Sequence, residues 1–572
     1  MALVVKKKKP LGSRSSSGSS GVETSPNRPV HVEKTPPCRV GCPSENRIRD
    51  ILTVIAQTED AGRTYHESYQ LAYNYFIENS PFLSVCGRVC PHPCEKECNR
   101  QYKDGSVAIH NVERFIGDYA IEHDFPIEKL TDEKHPEKIA VIGSGPAGLS
   151  CAFQLVRRGY DVTVFEAFSK TGGMLRYGIP DYRLPQDILD KEIARIERLG
   201  VNIKCNTIIG KDIPYEKLQE DYDAIFVGIG AHRGRLLMIP NEDAPNVFTG
   251  TEFLNRINSG RIVDVGNKVL VIGGGDTAID AARISRRLGA EVTIVYRRTR
   301  SEMPAIDEEI EGALEEGIKI HFLAAPIEFI KDGDKVSALR CQQMELGEPD
   351  SSGRRRPVPI PDAFFTIETT CVISAISQEP DFEGLEHLRE GKDWIKVNEK
   401  FQTKYPKTYA GGDNLDLGLV TIAIYQGKKA AETIHNTFRG IVPEPQPEKP
   451  IVTKDQIVFS YYVEKLRNEA LHLPPEERLK ALDLEITCTY TEEQLIDETK
   501  RCMSCGMCFD CGTCWSLCQD QVIHRPTQRF GTYTFKLELC KGCNKCAEAC
   551  PCGYIEMKDP FTGQFAQINR LQ

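Results

Sequence analysis

The chain has 572 residues, so we expect several domains, because a single hydrophobic core rarely grows beyond about 300 residues. Its formal net charge of -10 excludes a nucleic-acid partner bound through phosphate neutralisation. No run of about 18 apolar residues occurs, which excludes a membrane-spanning helix. The 22 cysteines are a large deviation from ordinary composition. Without an apolar leader, they are more typical of reduced, metal-binding thiols in the cytoplasm than of secreted disulfides.

The first 36 residues are rich in Ser, Lys and Pro and are predicted to be a disordered tail. The basic run Lys6 to Lys9 also fits a targeting or lipid-binding patch. Six cysteines then lie between Cys38 and Cys98, in a segment that otherwise reads as helical at 47–57 and 65–77. A helical metal-binding module is therefore expected first.

A dinucleotide-binding unit follows. The short apolar strand 138–142 leads into Gly143-Ser144-Gly145-Pro146-Ala147-Gly148, which opens a helix. Such glycines permit close backbone approach to a pyrophosphate, and the helix N-terminus faces it. A second strand, 162–165, ends in Glu166, which is placed to bond a ribose hydroxyl. The alternative is a glycine-rich turn without a ligand.

The same unit recurs further along the chain. Strand 269–272 leads into Gly273-Gly274-Gly275-Asp276-Thr277-Ala278, and strand 291–296 delivers Arg297 and Arg298 where an NAD site carries a carboxylate. Guanidinium groups pair with a 2′-phosphate, so NADP(H) is favoured over NAD(H). The alternative is a solvated basic strand end beside Glu302 and Asp307. Two such units suggest FAD together with a nicotinamide nucleotide.

Only isolated cysteines occur in this double nucleotide module: Cys151, Cys205, Cys341 and Cys371. They form no CxxC pair of the kind that a thioredoxin-reductase-type flavin needs, so they are expected to be buried apolar residues. Electrons that leave the flavin must therefore go to the cysteine-rich modules on either side.

After a Pro- and Glu-rich linker at 442–450, the C-terminal module carries the run C-x2-C-x2-C-x3-C twice. In bacterial two-cluster ferredoxins, three thiolates of each run bind one [4Fe–4S] cluster and the fourth serves the other. The predicted sets are Cys508, Cys511, Cys514 and Cys550, and Cys540, Cys543, Cys546 and Cys518. Two zinc sites are the alternative. Cys552 is left over.

From about residue 37 to 439 the chain resembles the small subunit of glutamate synthase and its relatives, including the NADPH-oxidising half of dihydropyrimidine dehydrogenase. The matching stretches are 85–91, Gly172-Gly173 with Ile179-Pro180 and Arg183, 273–277, Gly411-Gly412-Asp413, and Val420-Thr421. No acid–base catalytic residue is implied. The resemblance implies FAD contacts from Gly143, Gly145, Pro146, Ala147, Glu166, Gly173, Arg183, Gly412, Asp413 and Thr421. Ser377 stands where the family usually has glycine.

The resemblance also implies two clusters in the N-terminal module. One would use Cys42, Cys90 and Cys94, with Glu113 as a fourth ligand. The other would use Cys38 and Cys98 with a CxxC that relatives carry upstream and this chain lacks. Our hypothesis is that Cys502 and Cys505 fold back to complete it. The alternative is an empty site with four free thiols.

The predicted fold is a multidomain α/β protein, in which two Rossmann-like domains for FAD and NADP lie between a helical iron–sulfur domain and a ferredoxin-like α+β domain. The predicted boundaries are 1–36 tail, 37–135 helical iron–sulfur, 136–260 FAD, 261–385 NADP(H), 386–441 FAD, 442–500 linker and helices, and 501–572 ferredoxin-like.

The predicted function is an NAD(P)H:acceptor oxidoreductase that carries electrons between NADP(H) and a partner through FAD and four [4Fe–4S] clusters. The layout also resembles the DsrL proteins, the NAD(P)H-oxidising partners of dissimilatory sulfite reductase. A ferredoxin, a 2-oxoacid:ferredoxin oxidoreductase or a benzoyl-CoA reductase stays open as the partner. A glutamate synthase small subunit and a non-catalytic electron-storage protein stay open as alternative functions. A homodimer stays open as the oligomeric state.

Overall fold

The computed structural model describes residues 25–391, 394–445 and 447–570. The basic run Lys6 to Lys9 and most of the predicted tail lie outside these residues. The described part contains the four modules in the predicted order, and the mixed α/β fold class is confirmed.

The N-terminal module is helical, as predicted, because its apolar residues recur at helical spacing. Thr64 and Glu67 form a capping box at the start of one helix. The apolar core continues into the first nucleotide domain without a break. The main helices are Ile48–Ala56, Tyr65–Ile77, Leu83–Val89 and Ile109–Glu122, with short turns at Pro37–Val40, Pro93–Lys96 and Asn99–Tyr102.

The first nucleotide domain is built on a five-stranded parallel sheet, the first sheet. Its central strands are buried on both faces, as parallel strands covered by helices must be. In sheet order the strands are Thr408–Ala410, Ala224–Val227, Lys138–Ile142, Asp161–Phe165 and Asn202–Lys204. The flanking helices are Pro146–Val156, Met174–Tyr177, Gln186–Glu197, Tyr215–Asp221 and Val420–Arg439.

A second five-stranded parallel sheet forms the next domain, the second sheet. Its strands in sheet order are Lys319–Phe322, Glu291–Tyr296, Lys268–Ile272, Cys371–Ser374 and Val247–Thr249. Its helices are Gly250–Asn258, Asp276–Arg287 and Asp307–Glu315. An antiparallel sheet is inserted before Cys371–Ser374, which is the last strand of the second sheet in chain order. Its strands are Ala324–Asp332, Lys335–Pro349 and Arg355–Glu368.

The boundary between the two nucleotide domains differs from the predicted one at residue 261. Strand Val247–Thr249 pairs in parallel with Cys371–Ser374 of the second sheet. Phe253 and Leu254 of the following helix are buried in the core of the second sheet. The chain crosses between the domains earlier, through the two-stranded ribbon of Arg233–Gly234 and Gln378–Glu379. A strand of three residues is too short to be recognised by its pattern.

The C-terminal module contains short helices and strands and borrows a strand from the start of the chain. Arg28–His31 pairs antiparallel with Ile555–Lys558. His31 stacks on Tyr554 at 4.9 Å between ring centroids, and buried Lys34 pairs with Glu556. The prediction that residues 1–36 are disordered is therefore wrong from Arg28 onwards. The other elements are Thr513–Leu517, Lys545–Glu548, Ile523–His524 and Thr534–Phe535.

The segment 442–500 returns the chain to the N-terminal module. Helix Glu492–Thr499 packs against helices Ile48–Ala56 and Ile109–Glu122. The shorter pieces before it are Lys454–Gln456, Phe459–Tyr461 and Pro475–Arg478. Among the described residues, no helix combines the length and apolar character that crossing a membrane requires.

Candidate functional site

The first glycine-rich loop opens onto a cavity of about 450 Å³ at the carboxyl end of the first sheet, the first nucleotide cavity. This is where ligands bind in open parallel sheets. Helix Pro146–Val156 starts at its wall, so unpaired backbone N–H groups face the cavity. Of the predicted FAD contacts, eight line it: Gly143, Gly145, Pro146, Ala147, Glu166, Gly173, Gly412 and Asp413.

The loop geometry explains its glycines. Gly143 has a φ of +96°, and a Cβ there would lie 2.3 Å from the carbonyl oxygen of Gly228. Gly145 and Gly173 approach so closely that a Cβ on Gly173 would lie 2.7 Å from the Gly145 Cα. The Glu166 carboxylate fixes the loop by accepting hydrogen bonds from the backbone N–H of Ser144 at 2.9 Å and of Phe168 at 2.8 Å.

Two titratable groups in the first nucleotide cavity have shifted pKa values. Burial raises the pKa of Asp413 to about 6, although Gly418 donates a backbone hydrogen bond to its carboxylate. Burial lowers the pKa of His232 to about 4, so this imidazole is neutral at neutral pH. Sequence reasoning missed His232, because it follows strand Ala224–Val227 without any recognisable motif.

Two predicted FAD contacts do not line this cavity. Arg183 points towards the second nucleotide domain, where its guanidinium pairs with Asp280 at 2.8 Å and with Glu309 at 3.3 Å. It fastens the two domains together instead. Thr421 lies one residue beyond Val420, which does line the cavity, and faces Cys90.

The second glycine-rich loop borders a cavity of about 690 Å³, the second nucleotide cavity. The predicted residues Gly274, Gly275, Thr277, Arg297 and Arg298 line it. Asp276 does not, because its carboxylate accepts a hydrogen bond from the Ile306 backbone N–H at 3.0 Å.

Ser377, where the resemblance left a question, also lines the second nucleotide cavity. It is absent from the residues with positive φ, so its side chain causes no backbone strain there. Its carbonyl accepts a hydrogen bond from the Arg235 N–H at 3.0 Å.

The two nucleotide cavities adjoin along a short loop. Leu417 lines the second cavity, whereas Gly418 and Leu419 line the first. A nicotinamide and an isoalloxazine ring bound in these cavities can therefore meet at this loop. Helix Val420–Arg439 begins immediately after it, and its first turn contacts the N-terminal module, where Ser44 donates a hydrogen bond to the Thr421 carbonyl at 3.1 Å.

Cys42, Cys90, Cys94 and Glu113, which we call site 1, lie together behind that helix. Burial raises the pKa of the Cys90 thiol to about 12, with Glu113 and Cys42 adding to the shift and the Thr421 hydroxyl opposing it. Glu113 is buried, and its Oε1 has no hydrogen-bond partner in the part of the chain that the structure describes. Burial, then Glu192 and Glu95, raise its pKa to about 8. Such a carboxyl ionises readily only beside a cation, which suits an iron ligand.

Cys38, Cys98, Cys502 and Cys505, which we call site 2, line one small cavity. Two come from the N-terminal module and two from beyond residue 500, as the fold-back hypothesis requires. Burial raises the pKa of Cys38 well above its usual value, and the other three thiols raise it further. Four partly buried cysteines whose thiols line one cavity fit a bound cluster, which would hold them as thiolates.

Buried Arg501 fastens the second pair of site 2. Its guanidinium donates to Glu498 at 2.5 Å, to Asp104 at 3.2 Å and to the carbonyl oxygen of Gly105 at 2.7 Å. Arg49 adds a hydrogen bond to the carbonyl of Cys505 at 3.1 Å. The CxxC is thus anchored to the loop that follows Cys98.

The two ferredoxin-type sets are also brought together. Site 3, formed by Cys508, Cys511, Cys514 and Cys550, lines one cavity. Site 4, formed by Cys518, Cys540, Cys543 and Cys546, is grouped around Cys546, whose pKa is raised to about 12 by burial and then by the other three thiols. Cys543 is exposed.

Neighbouring side chains connect successive sites. Burial and the nearer groups raise the pKa of Cys94 in site 1, and Cys38 of site 2 lies close enough to raise it further. Burial and its own site likewise raise the pKa of Cys514 in site 3, and Cys546 of site 4 adds to that shift. Between sites 2 and 3, Tyr462 adjoins cysteines of both and donates to the Met503 carbonyl at 2.8 Å.

Sequence reasoning missed Tyr462 and also His31, which lines the site 3 cavity. Cys552, left unassigned, lies there with its Sγ 3.9 Å from that of Cys550. Of the isolated cysteines, Cys151, Cys341 and Cys371 are buried as expected, whereas Cys205 is partly exposed.

Comparison with known proteins agrees with this geometry. A model of the pyridine nucleotide-disulphide oxidoreductase family matches residues 137–427, which is about half of the chain. A model of dihydropyrimidine dehydrogenase domain II, 4Fe-4S cluster, matches residues 21–125. The class is therefore that of nucleotide-dependent iron–sulfur flavoprotein oxidoreductases, as predicted.

Three curated relatives are similar to this chain over about 70% of its length. The beta subunit of the NADP(+)-dependent formate dehydrogenase of Moorella thermoacetica is 39% identical over 444 residues, which cover 72% of this chain and 61% of that protein. The beta subunit of the NADPH-Fe(3+) oxidoreductase of Geobacter sulfurreducens is 39% identical over 409 residues, which cover 70% and 59%. The small chain of the NADPH glutamate synthase of Escherichia coli is 34% identical over 430 residues, which cover 70% and 88%.

The chain belongs to the glutamate synthase small-chain-like family of pyridine nucleotide-disulphide oxidoreductases. This confirms the resemblance inferred from its motifs. FAD, NADP and a [4Fe–4S] cluster as cofactors are supported by the two family matches. The chain spans about three fifths of the length of the formate dehydrogenase and Fe(3+) oxidoreductase subunits.

Proposed function

We propose that this protein transfers electrons between NADP(H) and a partner redox protein, through FAD and four [4Fe–4S] clusters at sites 1 to 4. The observation that carries the proposal is the unbroken succession of sites. It runs from the loop shared by the nucleotide cavities, past Thr421 to Cys90, and through sites 2 and 3 to exposed Cys543.

The residues of the chain act by binding and positioning. FAD, when bound, supplies the step between two-electron hydride transfer and the one-electron chemistry of clusters. The loop 417–419 lies where the two nucleotide cavities adjoin, and would hold the two nucleotides next to each other. Thr421, which follows the cavity-lining Val420 at the start of helix Val420–Arg439, lies between the first nucleotide cavity and Cys90 of site 1. No side chain has to donate or accept a proton for transfer along the clusters.

The test is anaerobic reduction of the purified protein by NADPH. Absorbance monitors the flavin, and paramagnetic signals monitor the reduced clusters. We expect flavin absorbance to fall first and cluster signals to follow. The Cys502→Ser/Cys505→Ser variant should still show flavin reduction by NADPH, but sites 3 and 4 should be reduced much more slowly. Reduction of the flavin alone in wild-type protein, with clusters that dithionite does reduce, would overturn the proposal.

A second candidate is the small subunit of a glutamate synthase. Its support is the match that covers 88% of the Escherichia coli small chain. The cysteine-rich segment beyond residue 500 argues for a different acceptor, since clusters at sites 3 and 4 would extend the path past site 2. Glutamine-dependent glutamate formation with a large subunit would favour this candidate.

For the partner, the combination of this core with a two-cluster tail supports dissimilatory sulfite reductase first. A ferredoxin, a 2-oxoacid:ferredoxin oxidoreductase and a benzoyl-CoA reductase are alternatives. We place the protein in the cytoplasm, where its many thiols stay reduced. Anaerobic purification of the native complex from its source identifies the partner directly.

A further inference from the structure

One wall of the second nucleotide cavity comes from outside the dinucleotide-binding unit. Strands Lys335–Pro349 and Arg355–Glu368 of the inserted antiparallel sheet are joined by the tight turn 350–354. Arg354, at the end of this turn, lines the same cavity as Gly274 and Gly275. No motif in the sequence marks this arginine.

The turn has a fixed shape. Asp350 donates its backbone N–H to the Arg354 carbonyl at 2.8 Å, and its own carbonyl accepts from the Gly353 N–H at 2.9 Å. The Asp350 carboxylate also accepts from the Ser352 N–H at 2.9 Å. Gly353 takes the positive φ of +77° that such a turn needs. These hydrogen bonds therefore fix the position of the Arg354 backbone.

Arg298 holds the turn against the second sheet. Its guanidinium donates from Nη2 to the Asp350 carboxylate and from Nε to the Arg355 carbonyl, both at 2.7 Å. The side chain is buried, and Asp350 neutralises its charge. The prediction that Arg298 binds the nucleotide directly is thus weakened, because its charge and two of its donors are committed to the turn.

Two guanidinium groups form no ion pair within the described residues. Arg297 has no carboxylate within salt-bridge distance, although Asp350 acts on it from further away, and the Nε of Arg354 donates to the neutral Ser352 hydroxyl at 3.0 Å. Burial, then Arg298 and Arg354, lower the pKa of Arg297, so the cations lie close enough to repel. Converging cations without a counterion form an anion site, and paired guanidinium groups match the oxygens of a phosphate dianion.

We propose that Arg354 and Arg297 together bind the 2′-phosphate of NADP(H), and that Arg298 is a positioning residue that fixes the turn carrying Arg354. Arg297 follows the strand whose end faces the adenosine ribose in such domains, which places the pair beside the 2′ position. Preference for NADP(H) over NAD(H) then depends on an element outside the dinucleotide-binding unit. The inference rests on the NADP(H) preference contained in the proposed function.

The experiment measures binding by calorimetry on anaerobic, cofactor-loaded protein, with 2′,5′-ADP and 5′-AMP as probes that differ only in the 2′-phosphate. Wild-type protein should prefer 2′,5′-ADP. Arg354→Ala should lower the affinity for 2′,5′-ADP roughly 10-fold or more, because charge-assisted hydrogen bonds are lost, and leave 5′-AMP unaffected. Arg356→Ala is the matched control: it removes the same charge two residues away, outside the cavity, and should change neither affinity.

Arg298→Lys tests the positioning role, since it keeps the charge but loses the second bond to the turn. It should lower the preference for 2′,5′-ADP by less than Arg354→Ala does, again without affecting 5′-AMP. An unchanged preference in Arg354→Ala, or equal losses for both probes, would overturn the inference while leaving the proposed function intact. Equal binding of the two probes by wild-type protein would overturn both the inference and the NADP(H) preference.

Discussion

Glu113 shows how one residue acquires its role from its surroundings. It lies on helix Ile109–Glu122, fully buried, with Oε1 unpaired and with Glu192 and Glu95 close enough to raise its pKa. To be ionised at neutral pH such a group needs a positive partner, because an isolated buried carboxylate is costly. The iron of site 1 would supply it.

We therefore expect Glu113→Ala to lose the site 1 cluster. Iron per chain should fall from about 16 atoms to about 12, since each cluster holds four. Glu113→Gln keeps an oxygen ligand and should retain the full content. Glu122→Ala, an exposed change on the same helix, serves as the control. Full iron content in Glu113→Ala would remove this residue from site 1.

Single residues also show where sequence reasoning stops. Glycines such as Gly143 and thiols such as Cys508 were predictable, because spacing alone defines their chemistry. Arg297 and Arg298 are chemically identical neighbours, yet among the described residues Arg297 forms no ion pair, whereas Arg298 pairs with Asp350. Only the folded position of the hairpin turn distinguishes them. Arg183 likewise was assigned to FAD from the resemblance, whereas its position places it between domains.

At the scale of elements, hydrophobic periodicity predicted those helices and strands that the local sequence determines. The strands Lys138–Ile142 and Glu291–Tyr296 and helix Tyr65–Ile77 were predicted to within a residue, because buried parallel strands and amphipathic helices have strong periodic signals. Strand Arg28–His31 was not, because its partner Ile555–Lys558 lies at the other end of the chain. Such a short strand is stable only through that pairing.

Arg501 provides a test at this scale, since it joins helix Glu492–Thr499 and the CxxC to the loop 104–106. Its guanidinium is buried and paired with Glu498 and Asp104. Arg501→Met leaves both carboxylates without this partner, a change that costs about 3–5 kcal/mol in buried pairs.

We expect Arg501→Met to lose the site 2 cluster at a clearly lower temperature than wild type. The loss is measured from the cluster absorbance during heating under anaerobic conditions. The adjacent exposed Lys500→Met should melt like wild type, because Lys500 has no ion pair among the described residues. Identical melting of the two variants would show that the network does not secure the CxxC.

At the scale of the whole molecule, the N-terminal and C-terminal modules each contain residues from the other end of the chain. The N-terminal segment completes the sheet of the C-terminal module, and the segment after residue 500 completes the cysteine set of the N-terminal module. The spacing of Cys502 and Cys505 gave the hint, since this CxxC had no place in the ferredoxin runs. The exchange itself depends on long-range packing that no local pattern encodes.

The central claim is that site 2 carries a cluster held by both ends of the chain. Iron analysis of anaerobically prepared wild-type protein, beside the Cys502→Ser/Cys505→Ser variant, tests it most directly. The account predicts about 16 iron atoms per chain in the wild type and about 12 in the variant. About 12 in both would contradict it, leaving site 2 as four free thiols and the electron path broken between sites 1 and 3.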